Sequence, residues 1–287
     1  MVTGMTPIPA WLSILQRPAD LDWPAWFAAL AGQLLNGVQF LIDGTPHRLV
    51  EVELYYHGPG HLDPFTHRNP LQRQPGRWYF HRSGDSYRGG SFKGLDLTFG
   101  DGSASCGVLL RSLARADGAL VVGPSLCVDH MLAATRQATV AALDQAIAGR
   151  PAWDATSPLA LVEAQPARTD AVWQSARVGL SLKKVTADQD GPSFICRPYR
   201  YLSEPRGVSK GKMHLALALI ARGESLERVQ QLTGSPRASL QRYVADFEAG
   251  KQEADFGRYF GAELTPAELC RLHGTWQARI GTSGFPA

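Results

Sequence analysis

Asp43-Gly44 separates two apolar runs, Val38-Gln39-Phe40-Leu41-Ile42 and Leu49-Val50-Glu51-Val52-Glu53-Leu54-Tyr55-Tyr56. Asp-Gly between such runs is the chemistry of a two-residue hairpin turn, because both central residues must take positive φ. The chain is therefore committed early to antiparallel β-structure. GRWYFHR, GLDLTFG and GVLLRSLA predict further short strands, set apart by glycine-rich turns. GPSLCVDHMLAATRQATVAALDQAIAG predicts helix, and ARVGLSLK and SFICRPYRYL predict a return to strand. DWPAWFAALAGQLLNG predicts a helix with Asp22 as its cap, Pro24 in its first turn and Gly37 past its end. Residues 1–23 carry scattered prolines and read as a surface arm.

The second run of the hairpin is unusual. Side chains alternate across a strand, so Glu51, Glu53 and Tyr55 share one face. A carboxylate inside a β-type run is either an ion-paired strand residue or a working acid.

The remaining composition narrows the class. A chain of 287 residues with 44% hydrophobic content supports a packed core. No stretch approaches the ~18 apolar residues of a membrane span, and no secretory leader is apparent, so a cytoplasmic protein without membrane contact is expected. Cys106, Cys127, Cys196 and Cys270 lie far apart, which suggests reduced thiols and neither a zinc knuckle nor a disulfide framework. His57, His61, His67 and His81 match no standard metal spacing, so no metal or other cofactor is expected.

The net charge of +3 is modest but unevenly spread. Between Pro205 and Tyr243 stand Arg206, Lys210, Lys212, Arg222, Arg228, Arg237 and Arg242, against only Glu224 and Glu227. A basic stretch of this kind is either a phosphate-binding footprint or a solvated helix face. The same stretch reads as three helical runs divided by Gly223 and Gly234, with Ser225 and Ser235 as caps. Leu226, Val229, Leu232, Leu240, Tyr243, Val244 and Phe247 form its inward stripe. The short connection between the second and third runs is a helix-turn-helix pattern. Arg237, Ser239, Gln241 and Arg242 would then lie on the early turns of a DNA-contacting helix. A plain helical hairpin packed on the main domain is the alternative.

RLVEVELYY, PGRWYFH, LDLTFGDGSASCGVLLRSL, GPSLCVDHML, ARVGLS and RPYRYL follow one another in order between residues 38 and 204. Together they resemble the alkyladenine (3-methyladenine) DNA glycosylase family; each alone is short. The resemblance implies an α+β fold with a curved antiparallel sheet, or partial barrel, flanked by helices. It also implies three regions: an arm and helix over 1–37, a glycosylase-like domain over 38–204, and a helical helix-turn-helix-like segment over 205–287. Glu53 matches the family's catalytic glutamate, and Arg111 an arginine that helps hold the attacking water. Val178 matches the position whose backbone carbonyl also holds that water. Tyr55 and His67 match residues that stack on the extruded base. The implied partner is duplex DNA, and a monomer is expected.

The implied chemistry is consistent with the residues. Hydrolysis of an N-glycosidic bond builds positive charge on the sugar, which a carboxylate can stabilise while it activates water. The base must leave the duplex first and be held between flat faces. No lysine stands near Glu53, so a water-using, monofunctional enzyme is expected rather than a Schiff-base lyase.

The chain departs from the family at several points. His81 stands where a third stacking tyrosine is usual, and Asp96 where an asparagine is usual. An ionised aspartate only accepts hydrogen bonds, which would favour a base presenting an exocyclic amine. A modified cytosine, of the kind found in some bacteriophage DNA, is one such substrate. Alternatively, Asp96 pairs with Arg111 or His81 and never meets substrate. Tyr87 and Arg82 are candidates to fill the stack left by the extruded base. A catalytically inactive DNA-binding regulator and a hydrolase of free nucleosides or RNA are the competing readings.

Overall fold

The structure is a computed structural model and describes residues 9–280. Its strands are β1 (Val38–Ile42), β2 (Thr45–Gly58), β3 (His61–Leu62), β4 (Trp78–Phe80), β5 (Arg82–Ser83), β6 (Ser86–Tyr87), β7 (Leu95–Thr98), β8 (Ser105–Ala114), β9 (Leu120–Val122), β10 (Leu159–Glu163), β11 (Trp173–Ser175) and β12 (Arg200–Leu202). Its α-helices are α1 (Trp23–Gly32), α2 (Pro124–Ala134), α3 (Val140–Ile147), α4 (Gly191–Cys196), α5 (Lys212–Ala221), α6 (Leu226–Thr233), α7 (Arg237–Gly250) and α8 (Pro266–Ile280). The architecture is mixed α+β, with a curled antiparallel half-barrel sheet and helices packed around it. Among the described residues no helix is long and apolar enough to cross a membrane.

The Asp43-Gly44 turn forms as its chemistry dictates. Asp43 and Gly44 have φ of 47° and 74°, and Ile42 pairs with Thr45 across the turn. The sheet runs β10-β1-β2-β8-β7-β4, and β12 joins the distal half of β2 on the same edge as β1. The long strand β2 is therefore paired on both sides and buried on both faces, and its carboxylates are removed from water.

Asp22 caps α1 by accepting from the Ala25 N–H at 2.8 Å, and Ser225 caps α6 through the Arg228 N–H at 3.2 Å. Ser235 does not cap α7. It is buried, its N–H donates to the Thr233 hydroxyl, and α7 starts after Pro236.

Three further expectations change. The arm over 1–23 is no simple surface arm from residue 10 onward: Trp11 and Leu15 enter the core and Trp26 donates to the Ile14 carbonyl; residues 1–8 lie outside the described residues. ARVGLS is irregular rather than a strand, because Arg177 and Val178 turn to partners on β2 and in the loop after β3, and Gly179 takes φ of 82°. SFIC is the end of a buried helical turn, α4, opened by Pro192. The strand β10 was not foreseen, and the helix α8 lies in the segment expected to be helical, beyond its three helical runs. Strand β10 pairs with β1, while α8 packs against α7, where Gly250 and Gly274 allow the two backbones to touch.

The helical segment after residue 204 shares a core with the sheet. Leu202, Val208, Leu215, Leu219, Val229 and Leu240 form one cluster, joined by Val122 and Trp173.

Imidazoles shielded from water make stability pH-dependent. Burial lowers His61 to about 4, where it bridges the Tyr56 carbonyl and the Tyr199 hydroxyl. Burial, and then the neighbouring His81, lower His67 to about 4, and burial alone does the same to His273. The unfolded chain protonates its histidines near pH ~6.5. Between that pH and about 4 it holds more protons than the folded chain, so their contribution is complete above the window and lost as pH falls through it. The urea midpoint should be clearly lower at pH 5 than at pH 7. An equal or higher midpoint at pH 5 overturns this expectation.

Candidate functional site

The site begins at an irregularity in β2 and β8. The core face of β2 carries Leu49, Val52, Leu54 and Tyr56, so one step along it spans three residues instead of two. The register shifts twice there, between Leu49 and Glu51 and between Glu51 and Val52. β8 compensates: Leu113 and Leu110 both face the core, and Arg111 between them faces away. A paired bulge of this kind bends the sheet and re-aims side chains. Here it turns Glu51, Glu53 and Arg111 toward one another on the face opposite the core.

Arg111 bridges the two carboxylates. Its Nε donates to Glu51 Oε1 at 3.1 Å and its Nη1 to Glu53 Oε2 at 3.2 Å. Burial works against the Arg111 charge, but Glu53 and then Glu51 hold its pKa above the ordinary value. The Tyr55 hydroxyl also donates to Glu53 Oε2, at 2.9 Å, and burial followed by the Glu53 charge keeps that phenol protonated. The Val178 N–H donates to Glu53 Oε1 at 2.7 Å. The resemblance implied a role for the Val178 carbonyl; its amide is the group that meets Glu53.

Glu51 is enclosed by three donors: Arg111, Arg200 Nε at 2.6 Å and the Ser112 hydroxyl. Burial opposes its charge, yet Arg200 and Arg111 bring its pKa below the usual carboxylate range. Arg200 also donates to Ser175 Oγ at 2.9 Å and to the carbonyls of Lys210 and Gly211 at 2.9 and 3.1 Å. The loop that opens the C-terminal helices is thus tied to the carboxylate pair.

Tyr55, Arg111 and Val178 form one wall of a cavity of about 370 Å³. Glu53 is 0% exposed and lies immediately behind them. His67, His81 and Asp96 line the same cavity, so every core position carried over from the resemblance falls at or beside it. The His67 and His81 rings meet edge to face with centroids 4.4 Å apart. Gly94 makes room for this, since a Cβ there would lie 2.5 Å from His81 Nδ1.

Asp96 is 2% exposed and committed on both oxygens. His81 Nε2 lies 2.8 Å from Oδ1, and the Gln72 amide donates to Oδ2 at 3.1 Å. The paired reading of Asp96 is the one the geometry supports, with His81 rather than Arg111 as partner. The other walls include Arg88, Lys93 and Phe92, the last 72% exposed at the rim.

Tyr87 and Arg82 are not at this cavity. They lie on the β5–β6 hairpin, and both bind Asp144 of α3, at 2.6 and 2.9 Å. Arg82 also stacks on the Tyr87 ring at 4.1 Å, so the pair is bound to the protein's own helix. On α7, Arg237, Gln241 and Arg242 are exposed and Ser239 is half-buried. Arg237 pairs with Glu227 at 2.7 Å, and Arg242 reaches Ser239 at 3.3 Å.

The sequence did not reveal Gln72, Arg200, or the Asp63–Arg177 pair behind Tyr55. Arg177 Nη1 donates to Asp63 Oδ2 at 2.6 Å, and its guanidinium lies 4.3 Å over the Tyr55 ring. The one available signal was the arginine content of ARVGLS and RPYRYL, two segments otherwise fit to be core strands.

No family model matches the chain, and no solved structure matches it. It is similar to an uncharacterized protein of Acanthamoeba polyphaga mimivirus, 28% identical over 207 residues. The match covers 66% of this chain and 91% of the viral protein.

Proposed function

We propose that the protein is a monofunctional DNA glycosylase that takes an extruded base into the cavity and hydrolyses its N-glycosidic bond. One observation carries the reading. A buried carboxylate, Glu53, is gripped by Arg111, Tyr55 and the Val178 amide behind a small cavity flanked by two imidazole rings. Small-molecule pockets span roughly 300–1,000 Å³, so a volume of about 370 Å³ suits a single base.

In this mechanism the base enters between Tyr55 and the His67–His81 pair. The Tyr55 hydroxyl leaves Glu53, which opens one carboxylate oxygen to water. Water attacks C1′ of the sugar and passes its proton to Glu53. The C1′–N bond breaks, its electron pair leaves with the base, and an abasic site remains. Burial keeps His67 neutral, because its pKa of about 4 lies far below physiological pH. The Asp96–His81–Gln72 chain forms the polar end of the cavity; both Asp96 oxygens are engaged, so an exocyclic amine such as that of a modified cytosine reaches the carboxylate only by displacing the Gln72 amide from Oδ2. Phe92 takes the stack-filling role expected of Tyr87 or Arg82, since an exposed apolar side chain at the rim can enter the gap left by the base.

The test is release of bases from duplexes carrying alkylated, deaminated or hydroxymethylated bases, read by mass spectrometry, followed by alkali cleavage at the abasic site. The wild type should release at least one of them, and Phe92→Ala should release it more slowly without loss of folding. If no base is released from any duplex, the enzymatic reading fails.

One observation favours the regulator reading: Glu53 has no exposed surface before substrate binds. In that reading the same cavity holds an extruded base without cleaving it, and the helix-turn-helix selects the site.

A further inference from the structure

The segment after residue 204 was read as an appended module that touches DNA through α7. Its packing suggests a different contact. Arg206, Lys210 and Lys212 lie in the loop before α5 and at its first residue, and among the described residues none of the three forms an ion pair. The acids nearby are engaged elsewhere: Glu204 pairs with Arg48 at 3.0 Å, and Glu227 with Arg237 at 2.7 Å. Two of the three cations meet carbonyls. Lys212 Nζ donates to the Arg206 carbonyl at 3.2 Å, and Arg206 reaches the Gln231 carbonyl at 3.4 Å.

This loop is rigidly placed beside the cavity. Val208 is buried in the core it shares with Leu202 and Leu215. The Lys210 and Gly211 carbonyls are held by Arg200. Gly211 has φ of 74°, and a Cβ there would lie 2.3 Å from Val178 Cγ2, so the loop presses on the residue whose amide grips Glu53. The Lys210 ammonium lies 3.6 Å from where a Gly123 side chain would begin, and the next residue, Pro124, is part of the cavity wall. Arg206 and Lys212 continue the positive surface to Gly234, at the turn between α6 and α7.

We propose that Arg206, Lys210 and Lys212 form a phosphate grip that holds the nucleic-acid backbone next to the extruded nucleotide. The inference rests on the glycosylase reading for its ligand, but it assigns the contact to this loop and not to the face of α7. A row of cations without carboxylate partners repels itself in the free protein. Phosphates at that position relieve the repulsion and release counterions. Because the loop carbonyls hold Arg200, and Arg200 holds Glu51, the grip also sets the backbone in register with the carboxylate pair.

The experiment measures the salt dependence of binding to a duplex with a stable abasic-site analogue. The triple variant Arg206→Ala/Lys210→Ala/Lys212→Ala is compared with Arg237→Ala/Gln241→Ala/Arg242→Ala. Each phosphate contact adds about 0.9 to the slope of log K against log salt. The loop variant should therefore lose about 2–3 of that slope and bind at least tenfold more weakly in 0.15 M salt. The α7 variant should keep both. The proposal is overturned if the loop variant keeps the wild-type slope, if the loss follows the α7 variant, or if the wild type binds no duplex. Wild-type binding with the expected loss, but without release of any base, supports the grip and overturns the catalytic reading alone.

Discussion

Glu53→Gln is expected to slow single-turnover base release by about 10²–10⁴-fold, the usual contribution of a positioned acid–base group, with duplex affinity unchanged. Glutamine has nearly the same shape, and its oxygen can still accept the Val178 N–H. Its amide group, however, faces the Arg111 and Tyr55 donors and offers them no acceptor. The variant thus loses the proton acceptor and frees Tyr55 at once. Glu51→Gln gives the contrast. Glu51 touches no cavity surface and acts by orienting Arg111, so its replacement should reduce release less and alter the pH profile by removing one of the two charges on Arg111. Thermal unfolding of both variants separates lost chemistry from lost structure. A Glu53→Gln variant that folds and releases base at the wild-type rate removes Glu53 from the mechanism.

Much of this centre was legible because it follows local rules. Asp43-Gly44 fixed the hairpin, and period two placed Glu51, Glu53 and Tyr55 together. Arg111 came from the family resemblance, and the structure places it between the two carboxylates. What was not legible depends on contacts between distant segments. ARVGLS has the composition of a strand, but Arg177 bonds Asp63 in the loop after β3, and that pull breaks the extended run. The double bulge is invisible in sequence because Val50 is as apolar as its neighbours. Tyr87 and Arg82 looked available as wedge residues because nothing near them in sequence reveals Asp144, dozens of residues on. The basic segment is ambiguous in sequence for a related reason. Charge counting cannot tell Arg237, which has a carboxylate at 2.7 Å, from Lys210, which has none.

Asp63→Ala should have the largest effect on stability. Asp63 and Arg177 are both fully buried, and the carboxylate takes both guanidinium nitrogens, at 2.6 and 3.2 Å. Burial pulls the Arg177 pKa down, but Asp63 together with Tyr55 and Glu53 raises it above the ordinary value, so the guanidinium is held charged. The remaining Arg177 bonds, to the Leu54 and Phe194 carbonyls, are both 3.1 Å and supply no countercharge. Removing the aspartate leaves a buried cation with two carbonyls for company, which costs about 3–5 kcal/mol in comparable sites. For a chain of this size that lowers the melting temperature by roughly 6–20 °C. Replacing both partners with apolar residues of similar volume, Asp63→Leu with Arg177→Met, should cost much less, because no charge is stranded. The site should respond as well. Arg177 lies over the Tyr55 ring, so a displaced guanidinium frees the phenol that covers Glu53. Denaturant unfolding of the single and double variants reads the pair directly. If Asp63→Ala costs less than about 1 kcal/mol, the guanidinium has found water or another partner, and the rigid support assigned here to Tyr55 does not exist.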